Sequence, residues 1–213
     1  MSMYKKIMIA VLVFSGLLLI LSPFIKESII INLSNGHRSE LTAGQAERNN
    51  QQQASFDFDA IQPPSFFEAV KAGIERDPKA VIGRITISSV GIRLPILKGT
   101  TNQNLLFGAT TMRPEQKMGE GNYPLAGHHM RRESLLFGPL VQIKKGDRIV
   151  ITDFKKDYIY AVTSKNVISE MDAAVIQETK EKNITLITCD KPERTEGRLA
   201  VKGKLIHITV HSQ

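Results

Sequence analysis

Val81–Gly99 reads VIGRITISSVGIRLPILKG. β-Branched and polar residues alternate along it, and Gly83, Gly91 and Gly99 punctuate it. Successive side chains of a strand point to opposite faces, so the pattern predicts short, half-buried strands divided by turns. The same texture continues downstream. NYPLAGHHM (Asn122–Met130) follows a glycine-rich loop, and GDRIVITDFKKDYIYAVTSKNVIS (Gly146–Ser169) holds two strands around a DFKKD hairpin turn. NITLITC (Asn183–Cys189) and LAVKGKLIHITVHS (Leu199–Ser212) close the series, with one short helix expected over Asp172–Glu178. Short strands at this spacing predict a mainly β fold, a closed or nearly closed barrel rich in antiparallel pairs.

Upstream of Val81 the period changes. In PPSFFEAVKAGIERDP, Ser65 is an N-cap, Glu68 completes a capping box three residues on, and Pro78 is a stop, which predicts a helix over Phe66–Asp77. Lys26–Ala60 is polar, rich in Asn and Gln and without a strong apolar period, as in a linker or loose helix. Ile7–Ile25 is different again: 19 uncharged, mostly apolar positions. A helix of about 20 residues crosses a bilayer core, whereas the apolar part of a cleaved signal peptide runs to about 7–15 residues and ends in small residues. This run ends LSPFIKE, so an uncleaved anchor is expected, and Lys5 and Lys6 on its short leading side place the N-terminus in the cytoplasm and the rest outside. The chain therefore divides into a cytoplasmic tail (1–6), a transmembrane anchor (7–25), a linker or loose helix (26–65) and an extracellular domain (66–213).

The 213 residues are 42% hydrophobic, enough to fill one core, and carry a formal charge of +7. Apart from Lys5 and Lys6 the balance is 26 basic to 21 acidic residues, or +5. That excess suits an anionic envelope, and no aromatic-and-basic stripe points to nucleic acid.

Cys189 is the only cysteine, so no internal disulfide forms, and an exported single cysteine is a reactive thiol, an intermolecular link or a buried apolar residue. On the strand NITLITC, Thr185, Ile187 and Cys189 share one face and Ile184, Leu186 and Thr188 the other. Cys189 is thus at a rim, where a rigid strand meets a polar loop. Histidine is the usual activating partner. His37 lies in the linker. His207 and His211 are four apart in a β pattern, roughly 13 Å at about 3.3 Å per residue, which separates them too far for a shared metal and makes them surface histidines. His128 and His129 follow PLAG at a strand end and point opposite ways, so at most one faces Cys189; composition does not choose between them. Lys191, Arg194, Arg198 and Lys202 are the nearby cations. A guanidinium offers a fixed fork of donors for a carbonyl or oxyanion, and Arg198 stands where the loop turns back into a strand.

Taken together, these residues resemble the sortase family, the class A or housekeeping type of Gram-positive bacteria. The family motif T-L-x-T-C stands as TLITC (Thr185–Cys189); the family histidine follows Ala-Gly, here LAGH, which selects His128; the family arginine opens the strand after the cysteine loop, here Arg198 in TEGRLAVKGKL, with Arg194 a minor alternative. NLLFGATTMR, GNYPLAGHHMR and LITCDKP are most similar to the enzymes of Listeria and related bacilli, and the likeness spans about Val81–Leu205.

The resemblance implies an eight-stranded β-barrel with short helices and a transpeptidase. Cys189 attacks the Thr–Gly carbonyl of an LPXTG sorting signal, His128 protonates the leaving amine, and Arg198 orients the peptide and steadies the oxyanion. An amine of the peptidoglycan precursor lipid II then resolves the acyl-enzyme. Ala126 and Ile187 line the apolar groove for the Leu-Pro end, joined by Leu105 and Thr188. A cationic His–Arg setting beside a thiolate is expected. Some relatives bind calcium in the loop before the histidine. Here that loop, RPEQKMGEGN, offers Glu115 and Glu120 against Arg113 and Lys117, too little oxygen charge for a hard cation, so neither calcium nor another cofactor is expected. Three alternatives stay open: a cell-wall cysteine hydrolase, a pilus-type sortase (disfavoured by DAIQPPSFF where those carry a lid, and by the short polar tail) and a non-catalytic membrane-tethered binding domain.

Overall fold

The computed structural model describes residues 3–36, 42–75, 80–193 and 195–211. His37, Arg194 and the expected stop at Asp77 and Pro78 lie outside the described residues. The elements are α1 (Met3–Gly36), α2 (Ala43–Asn50), α3 (Phe66–Glu75), β1 (Val81–Ile87), β2 (Ile92–Leu97), α4 (Asn102–Phe107), β3 (Ala109–Thr111), β4 (Asn122–Ala126), β5 (Arg148–Thr152), β6 (Lys156–Ser169), β7 (Asn183–Cys189) and β8 (Gly197–Val210). Short 3-10 turns cover Ser88–Val90, Gly138–Gln142 and Ala173–Ile176.

The eight strands close into a barrel in the order β1-β2-β3-β4-β7-β8-β6-β5. Only β2–β3 and β4–β7 pair in parallel. The DFKKD segment is the β5–β6 hairpin, with Asp153 N–H bonded to Lys156 C=O and Phe154 at φ 65°. Gly83 sits at a bulge in β1 where a Cβ would come within 2.3 Å of the Thr152 carbonyl, so only glycine lets β1 and β5 approach there. The barrel interior is filled by Tyr123, Tyr160, Phe107, Phe137 and a shell of Ile and Leu, all essentially inaccessible.

The N-terminal third departs from the expected spacer. α1 does not stop at Ile25 but continues through Lys26–Gly36, because IIINL restores an apolar stripe after the charged Lys26-Glu27 step. Its last turns bury Ile30 and Leu33 against Ala69 and Ala72 of α3, within the main core. α3 begins at the expected capping box: Glu68 N–H donates to Ser65 Oγ at 3.1 Å and Ser65 N–H to the Glu68 carboxylate at 2.9 Å. α2 has its own capping box at Thr42 and lies along β1, where Asn49 Nδ2 donates to Val81 C=O at 2.7 Å. The described parts of this stretch, the end of α1 and α2, thus pack on the rest of the domain.

Among the described residues one helix, over Met3–Ser34, is long and apolar enough to cross a membrane, with a mean hydropathy of 2.6 in its best window and none of that window packed against the domain. Pro23 lies inside it and supplies no N–H for Leu19 C=O; the Ser22 hydroxyl donates to that carbonyl at 3.0 Å instead.

Candidate active site

Cys189 is the last residue of β7 and half-buried. Its register partner across the antiparallel β7–β8 pair is Arg198, and Arg198 pairs in turn with Ile168 of β6. Directly opposed residues place their side chains on one face. Three rows therefore run across β7, β8 and β6: Cys189–Arg198–Ile168, Ile187–Ala200–Asn166 and Thr185–Lys202–Ser164. β4 adds Ala126 beside Ile187. This is the outer face of the barrel, and the β6–β7 loop folds back over it. Val175 of that loop packs on Ile187 and Ala200, with Met112, Ile168 and Ile176 at the margin. The result is a cleft of about 210 Å³ between loop and sheet, lined by Ile168, Asp172, Val175 and Ala200 among others.

A buried asparagine holds this loop down. Asn122 Nδ2 donates to Val175 C=O and Gln177 C=O, both at 3.0 Å, while its Oδ1 accepts from the Thr185 hydroxyl at 2.8 Å. One β4 side chain thus fixes both the loop and the groove-facing side of β7.

His128 stands two residues past the end of β4. The parallel register Ala126↔Ile187 brings residue 128 level with residue 189, two steps on along each strand. Gly127 is required by packing: a Cβ there would meet the Phe137 ring at 2.6 Å. The His128 carbonyl accepts from Phe137 N–H at 3.0 Å, so the backbone beneath the ring is fixed. The ring keeps some exposed surface, yet its Nε2 is buried and has no hydrogen-bond partner. Burial pushes the imidazole down to about 4, against the pull of Glu68 and with a small further push from Lys26. Burial also raises the Cys189 thiol; Arg198 opposes this, and Asp190 and Glu170 add to it. Burial thus favours the neutral form of both groups.

Arg198 is half-buried and already engaged. Its Nη1 donates to Thr195 C=O at 2.7 Å and Gly197 C=O at 3.0 Å, and its Nη2 to Glu170 Oε2 at 2.5 Å. The guanidinium is thereby held beside Cys189, its register partner.

A sortase-domain family model matches residues 85–206, which include every residue of this cluster. The chain belongs to the sortase family. It is 48% identical over 205 residues to sortase A of Listeria monocytogenes, covering 95% of this chain and 92% of that one, and 41% identical over 150 residues to sortase A of Bacillus anthracis, covering 70% of each. The crystal structure of L. monocytogenes sortase A superposes with a TM-score of 0.62 at 51% identity, covering 63% of this chain and 92% of that one. The similarity over most of its length places it among the class A, housekeeping sortases, cysteine transpeptidases.

In this sortase the remaining candidates divide. Ala126 and Ile187 lie on the groove face; Leu105 is buried within α4; Thr188 faces the interior, 3% exposed, with its hydroxyl buried and unpartnered. Glu115 and Glu120 of the 113–122 loop are exposed, Glu120 pairs with Lys117 at 3.8 Å, and Arg113 pairs with Glu178. Among the described residues no three His, Cys, Asp or Glu side chains cluster as a metal site. His207 is exposed, but His211 is not a free surface residue: its Nδ1 meets Asp157 at 2.6 Å. Sequence reasoning missed Glu170, Asn122, Val175 and Ala200. Counting back from the Cys189–Arg198 pair would have found Ala200 opposite Ile187, but a loop folding onto a sheet leaves no local pattern.

Proposed function

We propose that this sortase cleaves an LPXTG-type signal between Thr and Gly and joins the Thr carboxyl to an amine of lipid II, anchoring surface proteins to the cell wall. The observation that carries this is the shared outer face, with Cys189 and Arg198 paired at its rim and the apolar side chains of Ile187, Ala200 and Val175 packed together beside them. An extended peptide laid in the cleft would seat its Leu-Pro side chains on apolar surface and bring its Thr carbonyl to the sulfur.

From the neutral pair, the thiol proton passes to His128 as the sulfur bonds to the Thr carbonyl carbon. The C–N bond then breaks, the imidazolium returns that proton to the leaving amine, and a thioester remains on Cys189. The acceptor amine attacks the thioester, neutral His128 takes its proton, and the thiolate leaves and is reprotonated. Arg198 supplies fixed donors for the substrate carbonyl or the oxyanion. The partly apolar cleft limits water while the thioester waits.

The N-terminal helix serves as a single-pass anchor, with Lys5 and Lys6 on the cytoplasmic side and the barrel outside. No calcium requirement is expected, since the loop before His128 holds only two acidic groups, Glu115 and Glu120, the latter paired with Lys117; activity lost to a chelator and restored by calcium would overturn that. The test of the whole reading is an LPXTG peptide with an added amine: a transfer product and a thioester at Cys189 by mass spectrometry support it. A free threonine carboxylate as sole product with amine in excess would make the enzyme a hydrolase.

A further inference from the structure

His129, not only its neighbour, carries a role. The β4–β7 parallel ladder pairs up to Ala126↔Ile187, and its final rung is Gly127 N–H to Ile187 C=O at 3.0 Å. In a parallel ladder the next acceptor along β7 is the carbonyl two residues on, which is Cys189, and its regular donor would be the N–H of residue 129. The backbone has turned away by then, and His129 forms an antiparallel bridge with Leu136. The ring supplies the missing rung: His129 Nδ1 lies 2.8 Å from Cys189 C=O. A carbonyl only accepts, so Nδ1 carries the proton, which both the neutral Nδ1–H tautomer and the imidazolium allow. His129 as a whole is 9% exposed, so this bond is made largely out of water.

We propose that His129 is a positioning residue of the transfer reaction, acting through the Cys189 backbone. Cys189 is the last strand residue before a polar loop, where strand ends fray. The His129 bond ties its carbonyl to the segment that carries His128. The adjacent Phe137 N–H to His128 C=O bond ties that segment to the 136–137 turn. The direction of the Cys189 Cα–Cβ bond is then set relative to the imidazole, and small misplacements of reacting groups cost on the order of 100-fold in rate.

The proposal rests on the sortase reaction and is tested on the full chain. His129→Phe fills the space without a donor; His129→Asn puts an amide N–H close to the Nδ1 position; His129→Gln puts it one methylene too far. With an LPXTG peptide, His129→Phe is expected to lose about 10- to 100-fold in kcat with KM little changed, and His129→Asn to recover most of it. His129→Gln should fall below Asn, and it replaces the Phe variant if that one does not fold by circular dichroism. Equal activity in the Asn variant and its donorless or misplaced counterpart, or full activity in all, overturns the proposal. Iodoacetamide alkylation of Cys189, the sole thiol, gives a substrate-free readout: its rate should shift several-fold in Phe and return in Asn. A wild-type enzyme that leaves the LPXTG peptide intact sinks the substrate reading, and the alkylation rates then decide the positioning role alone.

Discussion

His128, beside the Cys189–Arg198 end of the β7–β8 pair, and His211, just past the other end of β8, are treated in opposite ways. At the far end His211 closes the barrel. Its Nδ1 meets Asp157 at 2.6 Å and the Thr152 hydroxyl at 3.2 Å, and its N–H bonds to Lys155 C=O. At the near end three buried polar atoms have no partner: His128 Nε2, the Thr188 hydroxyl and one Asp190 oxygen. An unpaired buried polar group costs about 1–3 kcal/mol. On the proposed function the substrate supplies the partner that His128 Nε2 lacks within the protein, whereas His211 Nδ1 is paired by the fold.

That contrast can be broken by substitution, starting at the bare end. Cys189→Ala should abolish transfer altogether, with no thioester by mass spectrometry, while the melting temperature stays within a few degrees. Any residual transfer above background would move the nucleophile elsewhere. Arg198→Lys keeps a charge but removes the fork, so kcat/KM should fall on the order of 100-fold. Turnover within a few-fold of wild type would reduce Arg198 to a generic positive charge.

The next effect is on stability and depends on pH. His128 is depressed to about 4 from an ordinary 6.5, so the folded state resists a proton that the unfolded chain accepts. Its contribution is fully present above pH 6.5 and is lost as pH falls towards 4, by on the order of 2–3 kcal/mol with allowance for the ring's partial exposure. Denaturant melts at pH 7 and pH 4.5 should show His128→Gln inactive at both but less acid-sensitive than wild type. An unchanged acid slope would mean that the ring is solvated. Asn122→Ala should release the loop from Val175 and Gln177, raising KM for the peptide about tenfold and lowering stability by about 1–3 kcal/mol. The smallest functional effect belongs to the satisfied end: His211→Ala should cost about 1–2 kcal/mol of stability and leave kcat/KM within about twofold. A large activity loss there would dissolve the contrast.

How much of this was legible beforehand depends on the range of the interaction. The capping box at Ser65 and Glu68, the DFKKD hairpin and the alternation on β7 are all set within a few residues, and each stands where the pattern put it. The three motifs in order named the family. In the Lys26–Ala60 stretch the polar composition hides IIINL, whose Ile30 and Leu33 acquire a purpose only against α3. Glu170, which clamps Arg198, is 28 residues from it in sequence, and the Asn122–Val175 bond spans 53. No period encodes such distances.

The sequence alone determined that this chain is a barrel of short strands with an apolar N-terminal helix, and that a cysteine stands at a strand rim before a loop ending in Arg198. Those follow from local alternation, run length and turn chemistry. Only the tertiary structure decided the state of the site. Burial is a property of the closed barrel and its covering segments, and it is burial that neutralises His128 and raises the Cys189 thiol. The parallel register of β4 and β7 did the rest, bringing the 128–129 segment beside a cysteine some sixty positions away and the His129 ring onto its carbonyl.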